Sequence, residues 1–281
     1  MKSVSIFLLV LLLEGLALAG LNAQSIKVIS FNIRLDAASD GIDRWDLRKK
    51  DLSDFLIGEQ AVFIGLQEVT KNQLDYLNLE LHDYAFIGVG RDDGLEAGEF
   101  SPILYDTSRV IMLSNNTFWL SESPDSVSVG WDAMLPRICT YGLFMLKANK
   151  QQLFVFNTHF DHIGEEARQK SAELILRKIS EVNQENMAVV LLGDLNRRPD
   201  TKTIQLINNE LIDGFKFADE ASLKKPGTYN GFDLKSELKN RIDYVFVKNI
   251  KVSALKHGRQ KSSEGRWLSD HLPVIATLQM E

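Results

Sequence analysis

Short apolar segments recur along the chain, and polar side chains stand at the ends of several of them. Four segments run directly into such residues, at Asn32, Gln67-Glu68, Thr158-His159 and Gly193-Asp194-Leu195-Asn196. Ser269-Asp270-His271 precedes the last segment, and Asp243 lies at the start of another. One such residue can simply serve a turn or a helix start, but six coinciding positions point to chemistry. Because functional groups collect at the carboxyl ends of strands in α/β sheets, the pattern predicts a functional site formed by these strand ends.

The apolar segments are rich in β-branched and aromatic residues, which predicts strands. The predicted strands are Ile26–Ile33, Ala61–Leu66, Tyr84–Val89, Pro102–Tyr105, Val110–Leu120, Ile138–Lys147, Leu153–Thr158, Met187–Leu192, Ile242–Val247, Val252–His257 and Pro273–Gln279. Apolar residues at helical spacing predict helices, at Asp46–Ile57, Lys71–Leu77, Glu165–Val182 and Thr201–Asn208. No composition shift or repeat divides these elements, so we expect one domain over residues 24–281.

The N-terminus has the pattern of a targeting segment. Lys2 precedes the unbroken apolar run Ile6–Leu13, and small residues lead up to Ala23. The run is shorter than the roughly 20 apolar residues that span a bilayer, and Glu14 interrupts it. We therefore predict a cleaved signal peptide over residues 1–23, in preference to an uncleaved membrane anchor. Cleavage would leave no stable membrane anchor.

Cysteine usage and charge narrow the compartment and the partners. Cys139 is the only cysteine, so an intramolecular disulfide and a multi-cysteine zinc site are both excluded. A secreted protein without disulfides is typical of a bacterial periplasmic or extracellular protein. The net charge of −6 argues against a protein whose main task is to hold long nucleic acid through phosphate contacts. We expect a secreted or periplasmic monomer.

Three of the polar residues suit a metal ion. Glu68, Asn32 and Asp270 offer hard oxygen ligands of the kind that Mg²⁺ or Mn²⁺ prefers. A bound divalent ion polarises a phosphoryl oxygen and stabilises a leaving group. An ion held by these residues could therefore support hydrolysis of a phosphate ester.

The other polar residues suit acid–base chemistry at phosphorus. Asp194 and Asn196 could align a water molecule for attack. His271 could act as a general base if Asp243 orients its other ring nitrogen. His159 could contact a phosphoryl oxygen or protonate the leaving group.

These residues stand in six ordered motifs: Ser-Phe-Asn, Leu-Gln-Glu, Asn-Thr-His, Gly-Asp-Leu-Asn, Arg-Ile-Asp-Tyr and Ser-Asp-His-Leu-Pro-Val. The series resembles the endonuclease/exonuclease/phosphatase superfamily. That group includes pancreatic-type deoxyribonucleases, abasic-site endonucleases of the exonuclease III type, inositol polyphosphate 5-phosphatases and neutral sphingomyelinases. The resemblance runs from about Lys27 to Thr277. It implies a four-layer α/β sandwich, in which two mixed β-sheets pack face to face with helices outside.

The resemblance also implies a role for each motif residue. The implied metal site comprises Glu68, Asn32 and Asp270. The implied catalytic residues are Asp194, Asn196, His159, and His271 held by Asp243. The tyrosine that abasic-site endonucleases use near the histidine's role is not evident here. Its absence from the pattern, together with the signal peptide, disfavours abasic-site repair.

Four loop residues, in segments that resemble a secreted or periplasmic bacterial branch, are candidates for substrate binding. Arg137 could bind phosphate through its forked donors or form a surface ion pair. Glu99 could support the site or be a solvated loop charge. Trp131 could stack on a base or sugar ring, or anchor its loop. His162 could line the site or cap the helix predicted at Glu165–Val182, and the second alternative is favoured.

The motif set predicts a divalent-metal-dependent hydrolase of phosphate esters in which water attacks phosphorus. Arg48-Lys49-Lys50 and Arg197-Arg198 are the main basic clusters of an otherwise acidic chain, whereas a nuclease needs a basic groove with aromatic residues. We therefore expect a small phosphorylated metabolite, sugar phosphate or lipid head group as substrate. A secreted nuclease or other phosphodiesterase is the alternative, and a non-catalytic binding protein on the same fold is a remote one. No Gly-Asn-His element is present, which excludes a dinuclear metallophosphoesterase.

Overall fold

The computed structural model describes residues 25–280, so the predicted signal peptide lies outside the described residues. Within that range no helix is both long and apolar enough to cross a membrane. The strands, numbered β1 to β12 in chain order, are Ser25–Asn32, Phe63–Gln67, Tyr84–Ile87, Ile103–Asp106, Val110–Trp119, Ile138–Leu146, Gln152–His159, Ala188–Asp194, Ile212–Asp213, Asp243–Lys248, Lys251–His257 and Val274–Gln279. The α-helices, α1 to α5, are Trp45–Glu59, Lys71–Glu80, Glu165–Val182, Lys202–Asn208 and Glu220–Lys224.

The strands form two six-stranded sheets. The first has the order β11-β12-β1-β2-β4-β3, and the second has the order β5-β6-β7-β8-β10-β9. In the first sheet β1 and β2 are parallel, and in the second β7 and β8 are parallel. The remaining neighbours are antiparallel. Both sheets are therefore mixed, as the resemblance implied.

The core has three layers of apolar contact, one between the sheets and one under each pair of helices. Between the sheets Phe63 packs edge-on against Phe144, with ring centroids 4.8 Å apart. Leu52 of α1 and Leu74 of α2 belong to the cluster on the outer face of the first sheet. Residues of α3 and α4, including Ile175, cover the second sheet in the same way. The predicted four-layer α/β sandwich is confirmed.

A polar bridge crosses between the sheets beside Gly65 of β2. A Cβ atom at Gly65 would lie 2.7 Å from Oδ1 of Asn157 in β7, so only glycine leaves room for this side chain. Asn157 Nδ2 donates to the carbonyls of Leu66 (2.7 Å) and Pro102 (2.8 Å), and its Oδ1 accepts from Gln67 Nε2 (2.7 Å). This buried amide ties β7 to the end of β2.

Each predicted strand and helix overlaps an observed one, and α3 has the predicted bounds. The sequence did not predict β9, α5 or two short 3₁₀ helices, at Ala38–Asp43 and Gly214–Phe217. Segments of two to six residues are too short to show a helical or strand period.

Candidate active site

Strand register brings the motif residues to one end of the second sheet. The parallel pairing of β7 with β8 places His159 beside Asp194. The antiparallel pairing of β10 with β8 places Asp243 on the other side of Asp194. One imidazole and two carboxylates thus occupy neighbouring strands at the same level.

The facing end of the first sheet supplies the second half of the site. Asn32 ends β1 and pairs with Gln67 at the end of β2, so Glu68 follows directly. Asp270 and His271 precede β12, which pairs with β1. Because the sheets face each other, these residues meet those of β7, β8 and β10.

Asn32 joins the two halves. Its Nδ2 donates to Glu68 Oε1 and to Asp194 Oδ2, both at 3.0 Å. The Leu35 amide donates to the other oxygen of Glu68 at 3.2 Å. Asn32 Oδ1 accepts from the Arg34 amide at 3.0 Å, so this side chain orients Glu68 and Asp194 from behind.

His271 and Asp243 form a buried pair. His271 Nδ1 lies 2.9 and 3.1 Å from the two oxygens of Asp243, and its Nε2 lies 3.7 Å from Asp194 Oδ2. Burial would lower the pKa of His271, but the carboxylates of Asp243 and Asp194 outweigh it and hold that pKa well above its usual value. Burial, reinforced by Asp243, raises the pKa of Asp194. Protons at this point are thus shared among closely spaced groups.

His159 and Asn196 lie on the other side of Asp194. Asn196 Nδ2 donates to the Phe160 carbonyl at 3.0 Å and lies 3.1 Å from His159 Nε2. Burial, with the positive charges of Arg137 and Arg91, lowers the pKa of His159 well below its usual value. His159 is therefore a neutral ring that can take part in hydrogen bonds to a phosphoryl group.

The acidic residues fit a hard divalent cation. Glu68 and Asp270 line the same cavity and present carboxylate oxygens, the donor type such ions prefer. Burial raises the pKa of Asp270, and the negative charge of Glu68 raises it further, so a cation between them would be stabilised. Asp194, Asp243 and His271 also have potential ligand atoms within 4.8 Å of one another. In that group His271 already compensates the charge of Asp243.

A cavity of about 440 Å³ opens over these groups. The predicted metal and catalytic residues in its lining are Glu68, His159, Asp194, Asn196, Asp270 and His271. Asn32 and Asp243, both fully buried, stand behind the lining and position residues that reach it.

Three of the four predicted substrate-binding residues also reach the cavity, namely Glu99, Arg137 and His162. Arg137 is only 4% exposed, so it is not a surface ion pair. The preferred prediction that His162 caps α3 is wrong, because two other side chains accept the first amides of that helix. Asp161 accepts from the Gly164 amide at 2.7 Å, and Asp132 accepts from the Ala167 amide at 2.6 Å.

Trp131 does not reach the cavity, so its prediction as a substrate-binding residue is wrong. It adopts a positive φ of 50° and its half-buried ring packs against the cluster between the second sheet and α3. The large apolar area of an indole favours this packing over a position in the polar site. The alternative, a ring that anchors its loop, describes its place.

Sequence reasoning missed five lining residues: Arg34, Leu35, Leu135, Tyr229 and Ile242. Arg34 Nη1 lies 3.7 Å from Glu68, and its position two residues after Asn32 was the signal that could have found it. Tyr229 packs edge-on against His271, with ring centroids 5.1 Å apart. Its loop had no motif that could have indicated this.

Known proteins resemble the chain throughout the described range. The family model for the endonuclease/exonuclease/phosphatase family matches residues 29–271. A Bacteroides vulgatus endonuclease/exonuclease/phosphatase is 36% identical, with a TM-score of 0.85 and coverage of 92% of this chain and 100% of that one. A Bacteroides thetaiotaomicron mannosyl-6-phosphatase is 34% identical, with a TM-score of 0.84 and coverage of 90% and 99%.

The chain is also similar to more distant proteins, one by fold and one by sequence. The structure of zebrafish (D. rerio) TDP2 complexed with single-strand DNA product has a TM-score of 0.72 at 19% identity, with coverage of 92% of this chain and 100% of that one. An uncharacterized protein of Acanthamoeba polyphaga mimivirus is 25% identical over 179 residues, which span 60% of this chain and 66% of the viral protein.

Proposed function

Because the chain belongs to the endonuclease/exonuclease/phosphatase family, we propose that it removes phosphate from a small phosphorylated molecule, with a sugar phosphate as the preferred class. It is a divalent-metal-dependent phosphoesterase. The observation that carries the proposed substrate is the cavity next to the catalytic groups, which charged and polar side chains line together with a few apolar ones. Its volume of about 440 Å³ suits a small molecule, and its lining includes the charged side chains of half-buried Glu99 and buried Arg137. The mannosyl-6-phosphatase activity named for a 34% identical neighbour supports the same class.

The basic clusters of the sequence do not form a nucleic-acid groove. Arg48 is buried and donates to backbone carbonyls of residues 33, 34, 43 and 268. Lys49 and Lys50 pair with acids of the same helix, and the other cluster is paired as well, Arg197 with Glu165 and Arg198 with Asp200. These contacts leave the two clusters with little uncompensated positive charge to attract the phosphate backbone of a nucleic acid.

The chain's own residues suit in-line attack of water on a bound phosphoryl group. Asn196 and neutral His159 bind phosphoryl oxygens from one side, and His271 faces them from the other. Asp194 lies between, where it can orient the attacking water and accept its proton. Glu68 and Asp270 would hold the ion, which supplies charge stabilisation when bound. We propose Mg²⁺, with Mn²⁺ as the substitute.

The test is an assay of residues 24–281 on p-nitrophenyl phosphate, mannose 6-phosphate and bis(p-nitrophenyl) phosphate, with Mg²⁺ and with a chelator. We expect chelator-sensitive hydrolysis of the two monoesters at a kcat/KM at least about tenfold above that for the diester. Cleavage of the diester alone would overturn the monoester proposal and favour the nuclease or phosphodiesterase alternative. Cleavage of none would favour a binding protein.

Export by a signal peptide remains a prediction. It rests on the apolar run and small residues of the first 23 positions. Expression of the full sequence in a Gram-negative host, followed by N-terminal sequencing of the periplasmic fraction, should give a mature chain that begins at Gln24. Full-length protein retained in the membrane fraction would support the anchor alternative.

A further inference from the structure

Two ion pairs stand at the wall of the cavity beyond His159, and each contributes one residue to its lining, Glu99 or Arg137. One joins Arg91 to Glu99, and the other joins Arg137 to Asp161. We propose that Glu99 and Arg137 of this wall form a subsite for adjacent hydroxyl groups of the substrate, so that the enzyme selects a phosphorylated polyol. The inference rests on the proposed function, and it names the part of the substrate that lies beyond the phosphate.

Glu99 is fixed but retains acceptor capacity. Arg91 grips it in a fork, with Nη1 2.9 Å from Oε2 and Nη2 2.8 Å from Oε1. Each carboxylate oxygen can accept a second hydrogen bond. Arg91 is itself buried, and its backbone carbonyl accepts a hydrogen bond from the Trp119 indole nitrogen at 2.8 Å. A carboxylate held in this way presents two acceptors at the spacing of two neighbouring hydroxyls.

Arg137 offers the complementary donor. Its Nε lies 3.4 Å from Asp161 Oδ2, and its Nη2 lies 3.0 Å from His162 Nδ1. Its Nη1 is buried and has no hydrogen-bond partner among residues 25–280. A buried donor without a partner costs free energy, and a substrate hydroxyl oxygen that reached Nη1 would satisfy it.

The charges of the wall favour a neutral group over a second anion. Arg91 and Glu99 compensate each other, and so do Arg137 and Asp161. The four charges therefore sum to zero, and an anion would gain little net attraction while losing its hydration. A hydroxyl group both donates and accepts, so it can use the carboxylate and the guanidinium together.

The wall also lies at a suitable place relative to the reacting group. Glu99 Oε2 is 3.8 Å from His159 Nδ1, while His159 Nε2 is 3.6 Å from Asp194 Oδ2 on the opposite side of the ring. One imidazole thus separates the subsite from the catalytic carboxylate. A sugar attached to the phosphate would reach from one to the other.

Equilibrium binding tests the subsite without relying on turnover. In an Asp194→Asn background with Mg²⁺, calorimetry would compare the Kd of mannose 6-phosphate with that of butyl phosphate, which lacks the hydroxyls. We expect mannose 6-phosphate to bind at least about 100-fold more tightly, the effect of two hydrogen bonds to charged groups at about tenfold each. Glu99→Gln and Arg137→Lys should each reduce that ratio about tenfold. Glu96→Gln, an exposed change in the same loop, is the matched control.

Each outcome of the binding measurement either supports or overturns the proposed subsite. Equal binding of the two ligands to the background protein, or a ratio unchanged in a folded Glu99→Gln or Arg137→Lys variant, would overturn the subsite. Arg137→Lys keeps the charge beside Asp161, so it serves if Glu99→Gln lowers the melting temperature too far. The two proposals can fail separately. If mannose 6-phosphate still binds more tightly than butyl phosphate but the protein with Asp194 intact hydrolyses no monoester, the proposed function is overturned and the polyol subsite is retained.

Discussion

Asn157 offers the sharpest test of how the two sheets are held together at the site. Its side chain is fully buried and makes three hydrogen bonds, to the carbonyls of Leu66 and Pro102 and from the amide of Gln67. Asn157→Leu removes all three while keeping a similar shape. Asn157→Asp keeps the shape more closely, but it replaces the two hydrogen bonds that Asn157 Nδ2 donates with repulsive contacts between a carboxylate oxygen and the carbonyl oxygens of Leu66 and Pro102.

The expected loss of stability in Asn157→Leu depends on the hydrogen bonds that the former partners of Asn157 retain. The Pro102 carbonyl still accepts from the Leu66 amide at 3.1 Å, and Gln67 Nε2 still donates to the Gly65 carbonyl at 3.2 Å. At about 1 kcal/mol for each bond lost, the free energy of unfolding should fall by about 3 kcal/mol. For a domain of this size that corresponds to a melting temperature lower by about 6–12 °C. Asn157→Asp should cost more, because a buried carboxylate without a cation is strongly disfavoured.

Urea unfolding followed by circular dichroism measures both variants. Asn115→Leu, at an exposed position of β5, is the control and should change the free energy of unfolding by less than about 0.5 kcal/mol. If packing rather than hydrogen bonding were decisive, the variant closest in shape, Asn157→Asp, would be the milder one. That order of stabilities, or a loss below about 1 kcal/mol in Asn157→Leu at unchanged m-value, would refute the reasoning.

Two further predictions concern histidines in different surroundings. Asp243→Asn leaves His271 without its carboxylate partner, so we expect kcat on p-nitrophenyl phosphate to fall by about 10²–10⁴ with little change in the circular dichroism spectrum; a fall below threefold would contradict the positioning role. His271→Ala should lose at least as much. Burial, aided by Arg241, lowers the pKa of His257 from 6.5 to about 3, so the unfolded chain binds this proton more readily and stability is lost as pH falls below 6.5. At pH 5 the loss should be about 2 kcal/mol relative to pH 8, and His257→Leu should remove that part of the pH dependence of urea unfolding; an unchanged slope would contradict it.

The sequence predicted the elements well because their burial leaves a periodic signal. Strand β8 is buried at every position and α3 buries one face, so both were evident as apolar runs or helical spacing. Segments too short to show a period, such as β9 and α5, were not predicted. Arg48 shows the limit: it stands in a run of three basic residues, but successive helical residues face different directions, and its guanidinium points inward to bind carbonyls.

The sequence predicted which residues form most of the candidate site, but not how they are arranged in space. The motifs identified the residues, but the pairing of Asp243 with Asp194 depends on strand register, which a single sequence does not display. Loop residues were harder. Glu99 and Arg137 reach the cavity whereas Trp131 does not, because loop side chains follow local packing and hydrogen bonds, not an alternation that can be read from sequence.

Backbone conformation at the strand ends explains how a flat sheet edge becomes a cavity lined with functional groups. Glu68 and Asn196 each follow a strand and each adopt a left-handed conformation, with φ of 60° and 49°. This conformation costs a non-glycine residue on the order of 1 kcal/mol or more, and less for asparagine. The hydrogen bonds of Asn32 to Glu68 and of the Asn196 amide to Asp194 Oδ1 (2.9 Å) offset that cost. The same bonds aim both side chains out of the strand pleat and into the cavity, so the interactions that stabilise the strained turns are those that orient the site.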